Sequence, residues 1–216
     1  MDRGSVRTAV LFGAPLLMAV ASLVHPHPPL REPGMLAFLR PRLSLWIDVH
    51  VVQLFLVLLL GVALWLLTEG LAGRAATLSR VATVFFLVFY GAFDSVAGIG
   101  TGLLARAVDA DPALDPTAVA GLVDRYWLAR FESPIGPLIA LADLSWLAAT
   151  AAAADALRAH GAARSAAILL VVAGIAFGID HPSPTGTIGM LAFLAANVRL
   201  VRDGLLVGRV GQVATA

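Results

Sequence analysis

The stretch VVQLFLVLLLGVALWLLT, residues Val51–Thr68, decides the fold class because it contains no formally charged residue. A helix needs about 20 mostly apolar residues to cross the hydrocarbon core of a bilayer. The rest of the chain has the same character, since 59% of its 216 residues are hydrophobic and 13% are charged. A soluble domain is nearer half apolar and roughly a quarter charged. We therefore expect lipid to be the solvent of this protein.

This composition excludes several classes of protein. A mean hydropathy of +0.88 excludes an ordinary cytosolic enzyme and a disordered chain, and a net charge of +1 provides no basic field to hold a nucleic acid. The chain has no Cys, which excludes disulfides, thiolate catalysis and Cys-ligated metals. All 15 cationic residues are Arg, so Schiff-base chemistry on a lysine is excluded as well.

Further apolar runs predict an all-α, single-domain bundle of six transmembrane helices. They lie at about residues 8–25, 46–68, 79–104, 135–157, 164–180 and 186–203. The first run has an alternative interpretation, because Ala19-Val20-Ala21 resembles the cleavage site of a signal peptide. A sequence repeat, which pairs the first helix with the fifth, favours a helix that is retained.

The distribution of arginine predicts that both termini are cytoplasmic. An even number of spans puts the termini on one side, which would hold nine Arg and four acidic residues, against six and six on the other side. Loops with an excess of Arg face the cytoplasm. We therefore predict a multi-pass protein of the cell membrane, with two long outer loops at about 26–45 and 105–134.

The second outer loop contains a predicted amphipathic helix at about 116–131. Asp115 and Pro116 make a favourable helix start, because Asp caps the first turn and Pro suits the first helical position. Tyr126 and Trp127 are amphipathic side chains that anchor such a helix at a membrane interface. The helix either caps the bundle or forms a lid over a site.

Two stretches of the sequence resemble each other. The tetrapeptide HPHP at 25–28 is followed by GMLAFL at 34–39, and HPSP at 181–184 is followed by the same hexapeptide at 189–194. The repeat is either a local duplication or a helix-exit sequence, since Pro ends helices and fixes turns. If it is structural, the first and fifth helices run parallel, and the segment 34–39 is itself helical.

Six ionisable residues are the candidates for a polar pocket. Such residues are costly within a membrane and usually face the protein interior. In the predicted topology all six lie toward the outer ends of the helices: His25, His50, Asp94, Asp143, Asp180 and His181. His50 shares a helical face with Gln53, which lies three residues later.

These residues leave three functions open. Neutral imidazole is the commonest metal ligand, so His25, His50 and His181 are candidates to hold zinc, or haem if two of them face each other. Asp94 and Asp143 instead suit proton exchange in a small-solute transporter. The hypothesis that the sequence favours is a non-catalytic membrane component, such as a partner subunit, a lipid-binding protein or an assembly factor.

The expected partners are membrane lipids and, through one helix face, another membrane protein. Gly91, Gly98 and Gly102 form a small-residue stripe on the third helix, and such stripes let helices approach closely. The stripe serves a homo-oligomer, a partner membrane protein or packing within the chain equally well. The sequence specifies neither a substrate nor a reaction.

Overall fold

The structure is a computed structural model that describes residues 3–28, 34–128 and 135–206. The described residues are 85% helical and contain no strand. The predicted all-α fold class is thereby confirmed. The helical content follows from the composition, because a backbone in lipid satisfies its hydrogen bonds within each helix.

The described residues form long helices joined by short loops and short helical turns. In chain order the helices are α1 (Arg3–Val24), α2 (Met35–Leu39), α3 (Leu43–Thr68), α4 (Arg74–Phe93), α5 (Thr101–Ala110), α6 (Pro116–Leu128), α7 (Ile135–Ala159), α8 (Arg164–Ile179) and α9 (Thr185–Arg202). A 3₁₀ turn, Arg40–Arg42, joins α2 to α3. A π-helical turn, Asp94–Gly100, joins α4 to α5 without a break.

Four helical segments are long and apolar enough to cross a membrane. They are Gly4–Val24, Met35–Thr68, Arg74–Ala110 and Ile135–Ala159. Helix α8 is apolar but has only 16 residues, fewer than the roughly 20 that a span requires. Helix α9 has 18 residues and carries Arg199 and Arg202 in its last turn. The described residues therefore support a membrane protein with four candidate spans, where the sequence predicted six.

Helices α4, α7, α8 and α9 bury a group of aromatic rings between them. Trp146 on α7 is fully buried, and its ring lies 4.9 Å from that of Phe86, 5.6 Å from Phe177 and 5.8 Å from Phe193. Aromatic pairs at such centroid distances stabilise a core beyond the area they bury. These rings fix the relative positions of the four helices.

The outside of the bundle is covered by large apolar side chains. Phe55 is 67% exposed, Leu144 is 63% exposed and Ile179 is 67% exposed. Leaving apolar surface in water costs about 25 cal/mol per Å², whereas the same surface in a bilayer contacts acyl chains. This exterior agrees with the candidate spans and indicates a membrane protein.

The two HPxP segments each follow the end of a helix, and they meet in space. His25 comes directly after α1, and His181 comes two residues after the last residue of α8. The backbone N–H of Ser183 donates to the carbonyl of Ser22 at 3.0 Å, which joins the turn between α8 and α9 to the last turn of α1. Helices α1 and α8 therefore end at the same end of the bundle, as the repeat predicts.

The hexapeptides that follow the two HPxP segments have different surroundings. The first forms α2, directly after Gly34, whose φ of +115° favours glycine. The second lies inside α9, where a Cβ on Gly189 would stand only 2.8 Å from the backbone nitrogen of Phe177 on α8. The same glycine is therefore needed for a backbone conformation in one copy and for close helix packing in the other.

The predicted amphipathic helix at 116–131 is observed as α6, and residues 129–131 lie outside the described residues. The Asp115 carboxylate accepts a hydrogen bond from the backbone N–H of Thr117 at 2.9 Å, which agrees with the predicted helix start. The side chain of the predicted anchor Tyr126 lies outside the described residues.

Helix α6 is attached to the start of α2 through one carboxylate. The Asp124 side chain accepts hydrogen bonds from the backbone N–H groups of Gly34 and Met35, both at 3.0 Å. These donors belong to the first turn of α2 and have no partner within the helix itself. Trp127, one turn later on α6, then lies with its ring 5.9 Å from that of Trp46 on α3.

Candidate functional site

The imidazole rings of His25, His50 and His181 come together at one end of the bundle, which we call the histidine end. The ring centroid of His25 lies 4.8 Å from that of His50 and 4.9 Å from that of His181. Helices α1 and α8 end here, and α3 begins here and carries His50 in its first half. The chain thus assembles the cluster from three helices that are distant in sequence.

The closest contact in the cluster joins two ring nitrogens. The Nε2 atoms of His25 and His50 lie 3.3 Å apart, and both side chains are buried. The Nδ1 of His25 lies 2.7 Å from the Pro26 carbonyl, and the Nδ1 of His50 lies 2.6 Å from the Trp46 carbonyl. Each ring is therefore held by its Nδ1, with its Nε2 turned to the other ring.

The hydrogen-bond chemistry of this contact determines the tautomer of each ring. A carbonyl oxygen can only accept, so Nδ1 carries the proton in both His25 and His50. In a neutral imidazole the Nε2 is then an unprotonated acceptor. Two such acceptors cannot hydrogen-bond to each other, so a proton or a cation between or beside them would stabilise the contact.

Residues of α3 and of the π-helical turn fix the position of His50. A Cβ on Gly98 would lie 2.0 Å from Cδ2 of the His50 ring, so the absence of a side chain at Gly98 is what admits the imidazole. The indole Nε1 of Trp46 donates to the Gly98 carbonyl at 2.7 Å. A π-helical turn leaves carbonyls free for such bonds, and these turns are frequent at functional sites.

Asp94 begins the π-helical turn and lies next to His50. Its Oδ1 is 3.9 Å from the His50 Nε2, and its side chain is completely buried. Neither carboxylate oxygen has a hydrogen-bond partner within the described residues. A buried charged group without a partner is costly, so Asp94 marks a place where a cation or a proton is expected.

His181 completes the cluster from the end of α8. Its residue is half-buried, but its Nε2 is enclosed and finds no hydrogen-bond partner within residues 3–28, 34–128 and 135–206. Burial lowers the pKa of His181 well below its usual range, and the imidazoles of His25 and His50 lower it further. The ring is therefore neutral at ordinary pH, which is the form that binds a metal.

The remaining predicted candidates, Asp143 and Asp180, lie at the edge of the cluster. Both are half-buried, both line the cavity beside the histidines, and both make contacts of their own. The predicted partner of His50 on the same helix face, Gln53, is also buried. Its amide Nε2 donates to the hydroxyl of Tyr90.

The histidines open onto a cavity of about 200 Å³. Three of the polar side chains that line it are His25, His50 and His181, and apolar side chains form much of the rest. The apolar lining includes Phe93, Ile135, Ile139 and Ile179, together with the indoles of Trp46 and Trp127. One part of the cavity is thus lined by imidazole nitrogens, and the other part is lined by apolar side chains.

Trp46 is a member of the site that was not predicted from the sequence. It is fully buried, contacts the His50 ring at 4.2 Å between centroids, and provides the carbonyl that holds the His50 Nδ1. The signal that was available is its spacing, because a residue four positions before His50 lies one helical turn away on the same face.

The arrangement is not a finished metal centre. Across the part of the chain that the structure describes, no group of three or more His, Cys, Asp or Glu side chains stands ready to hold a metal ion. The structure brings together the Nε2 atoms of His25 and His50, and His181 and Asp94 lie next to this pair.

In comparisons with known proteins, no family model, no curated protein and no solved structure matches this chain.

Proposed function

We propose that this membrane protein binds a transition-metal ion of the zinc type at the histidine end, with His25 and His50 as two of its ligands. The observation that carries the proposal is the contact of two acceptor Nε2 atoms at 3.3 Å, each ring being held by a bond from Nδ1 to a carbonyl. Metal-ligating histidines commonly donate the other ring N–H to a carbonyl in this way.

The distance between the two nitrogens supports a small ion with tetrahedral ligands. Zinc binds imidazole nitrogen at about 2.0–2.1 Å, so two ligands at a tetrahedral angle lie about 3.3–3.4 Å apart. The observed separation of 3.3 Å agrees with this value. A porphyrin would have to stand between two axial nitrogens, and nitrogens in contact leave no room for it. The geometry thus favours zinc over haem.

The other ligands have to come from neighbouring groups or from water, since only the pair is in place. His181 offers an enclosed Nε2 and Asp94 offers two enclosed oxygens, none of which has a hydrogen-bond partner among the residues that the structure describes. A third ligand would come from either residue through a change of side-chain rotamer. Three protein ligands and one water would form an open site, as catalytic zinc centres have, whereas four would form a closed one.

The proposal is tested by metal analysis of the full chain in lipid nanodiscs. We expect one equivalent of Zn²⁺ per chain after dialysis, and with Co²⁺ the visible absorption of a tetrahedral site. His25→Ala and His50→Ala should each lose the bound metal. His160→Ala is the matched control, because His160 is exposed and its Nδ1 lies 2.8 Å from the Ala156 carbonyl at the other end of α7. It should retain the metal.

The opposite result has an equally clear meaning. If purified protein holds no stoichiometric metal, or if His50→Ala binds as much metal as the unaltered chain, the proposal of a metal site is wrong. A proton shared by the two rings would then explain their contact, and the hypotheses of a proton-coupled transporter and of a non-catalytic membrane component would take the place of the metal site.

We also propose that the full bundle has six spans in the cell membrane, with both termini cytoplasmic. Helices α8 and α9 pack against each other and against α7 and α1, which are candidate spans. A short helix packed in this way crosses the bilayer when the local membrane thins or neighbouring polar groups reach the interface. The arginine distribution supports the orientation.

A further inference from the structure

The cavity at the histidine end has more space and more apolar surface than the two proposed metal ligands account for. It measures about 200 Å³, whereas a water molecule has a share of about 30 Å³ in the liquid. Its lining includes Ile135, Ile139 and Ile179. Apolar walls hold water poorly, so the space suits a molecule with an apolar portion.

Two enclosed polar atoms of the cavity lining have no hydrogen-bond partner in the described part of the chain. They are the indole Nε1 of Trp127 and the imidazole Nε2 of His181. Buried polar groups are nearly always hydrogen-bonded. Indole N–H can only donate, whereas an imidazole nitrogen donates or accepts according to its tautomer. The two atoms therefore indicate a bound group that accepts a hydrogen bond from the indole.

The chemistry of the lining restricts this bound group to a neutral one. Asp143 and Asp180 line the cavity, and acidic side chains oppose an anion. An ammonium group has three donors and no acceptor, so it would leave the Trp127 N–H unpaired. A hydroxyl accepts and donates at the same time, and it therefore pairs with the indole N–H and with His181 in either tautomer.

One wall of the cavity borders the outside of the bundle. Ile179 lines the cavity and is also 67% exposed, because it is the last residue of α8. In a bilayer that exposed face contacts lipid. A molecule with an apolar chain therefore has a route to the cavity from the membrane itself.

We infer that the cavity binds a neutral single-chain lipid whose head group is a hydroxyl. The hydroxyl pairs with Trp127 and His181, and the chain lies along the three isoleucines of the lining. This inference goes beyond the proposed metal site and does not depend on it. The hydroxyl is held by neither His25 nor His50, and Asp94 is available as the third metal ligand in place of His181.

The test uses bromine quenching of tryptophan fluorescence in the full chain in lipid nanodiscs. The probe is 6-bromohexan-1-ol. Two matched probes are 1-bromohexane, which lacks the hydroxyl, and 6-bromohexanoate, which carries an anion in its place. Trp46 and Trp127 line the cavity and report binding. Trp65 is 44% exposed on the outside of the bundle, so every sample carries Trp65→Phe, which removes quenching of this side chain by probe in the bulk lipid.

We expect saturable quenching by the alcohol and at least tenfold weaker binding of bromohexane and of the carboxylate, because neither replaces both hydrogen bonds of a neutral hydroxyl. The result should be the same with zinc added and with zinc removed by a chelator. Trp127→Phe should weaken binding of the alcohol about three- to tenfold, the usual value of one hydrogen bond. It should leave binding of bromohexane unchanged, with Trp46 still reporting.

Three results would overturn the inference: quenching by all three probes alike and without saturation, binding of the carboxylate as tight as that of the alcohol, or binding of the alcohol that is lost when zinc is removed. Unchanged binding of the alcohol in Trp127→Phe would also contradict it. Zinc content is measured on the same samples, so a failure of the metal site is seen separately from a failure of the lipid site.

Discussion

The contact between His25 and His50 shows how a single glycine can define a site. Gly98 lies where the His50 ring passes α4 and its π-helical turn, and any Cβ there would overlap the ring. Gly91 belongs to the same sequence stripe, yet a Cβ on it would meet nothing within 4 Å. The two glycines therefore have different roles although the sequence presents them alike.

Gly98→Ala should displace His50 and abolish stoichiometric metal binding. Overpacking of this kind also costs about 1–3 kcal/mol of stability, which a thermal or denaturant unfolding curve in nanodiscs would measure. Gly91→Ala is the control: it should leave metal binding unchanged and should not lower stability, because alanine favours a helix more than glycine does. Full metal occupancy in Gly98→Ala would contradict the position of His50 described here.

Asp94 provides a second prediction at the residue scale. Its carboxyl group is buried without a hydrogen-bond partner in the described part of the chain, so Asp94→Asn removes an acidic group whose charged form burial disfavours while keeping the shape of the side chain. We expect unchanged or higher thermal stability together with at least tenfold weaker zinc binding, as for groups that ligate or support a metal. Asp48→Asn, at an exposed position on α3, should alter neither quantity. Equal zinc affinity in Asp94→Asn would remove Asp94 from the site.

At the scale of elements, helix packing depends on small residues at defined crossings. A Cβ on Gly174 of α8 would lie 2.2 Å from the hydroxyl oxygen of Thr150 on α7, whereas a Cβ on Gly178 would find its nearest neighbour, in Asp143, at 3.7 Å. Interiors have little free space to absorb such overlaps. The two positions, one turn apart on the same helix, therefore tolerate substitution differently.

Gly174→Ala should destabilise the bundle by about 1–3 kcal/mol, and Gly178→Ala should be nearly neutral. The measurement is unfolding in a titration with a denaturing detergent, followed by circular dichroism. A neutral Gly174→Ala would mean that α7 and α8 are not packed at this crossing.

The sequence predicted the elements better than it predicted the contacts. Apolar runs located the long helices, because length and hydropathy are properties of each segment alone. The run at 79–104 did not reveal the π-helical turn at Asp94–Gly100, since a π-helical turn forms through contacts with neighbouring helices. Likewise, depth placed His25 and His50 at one level, but only packing decides that their nitrogens touch.

For the whole molecule, the number of spans is the property that needs an experiment. The chain has no cysteine, so single cysteines can be introduced without interference. Ala159→Cys lies at the exposed end of α7, and Ser183→Cys lies in the turn between α8 and α9. These two positions bracket α8, the helix whose length falls short of a span.

A membrane-impermeant maleimide should label Ser183→Cys in intact cells and label Ala159→Cys only after the cells are opened. This pattern places the two ends of α8 on opposite sides of the membrane. Ala113→Cys, exposed in the loop after α5, should behave like Ser183→Cys. Labelling of both Ala159→Cys and Ser183→Cys from one side would mean that α8 does not cross, and the count of spans would fall.

The wide separation of the histidines along the chain affects how the site is made. Ribosomes deliver α1 and α3 long before α8, so the nitrogen pair of His25 and His50 can exist while the nascent protein is still being threaded into lipid. His181 arrives only when most of the polypeptide has been synthesised. An ion that needs His181 as a ligand would therefore bind late in biogenesis. Its binding would show that the last helices had packed against the rest of the bundle.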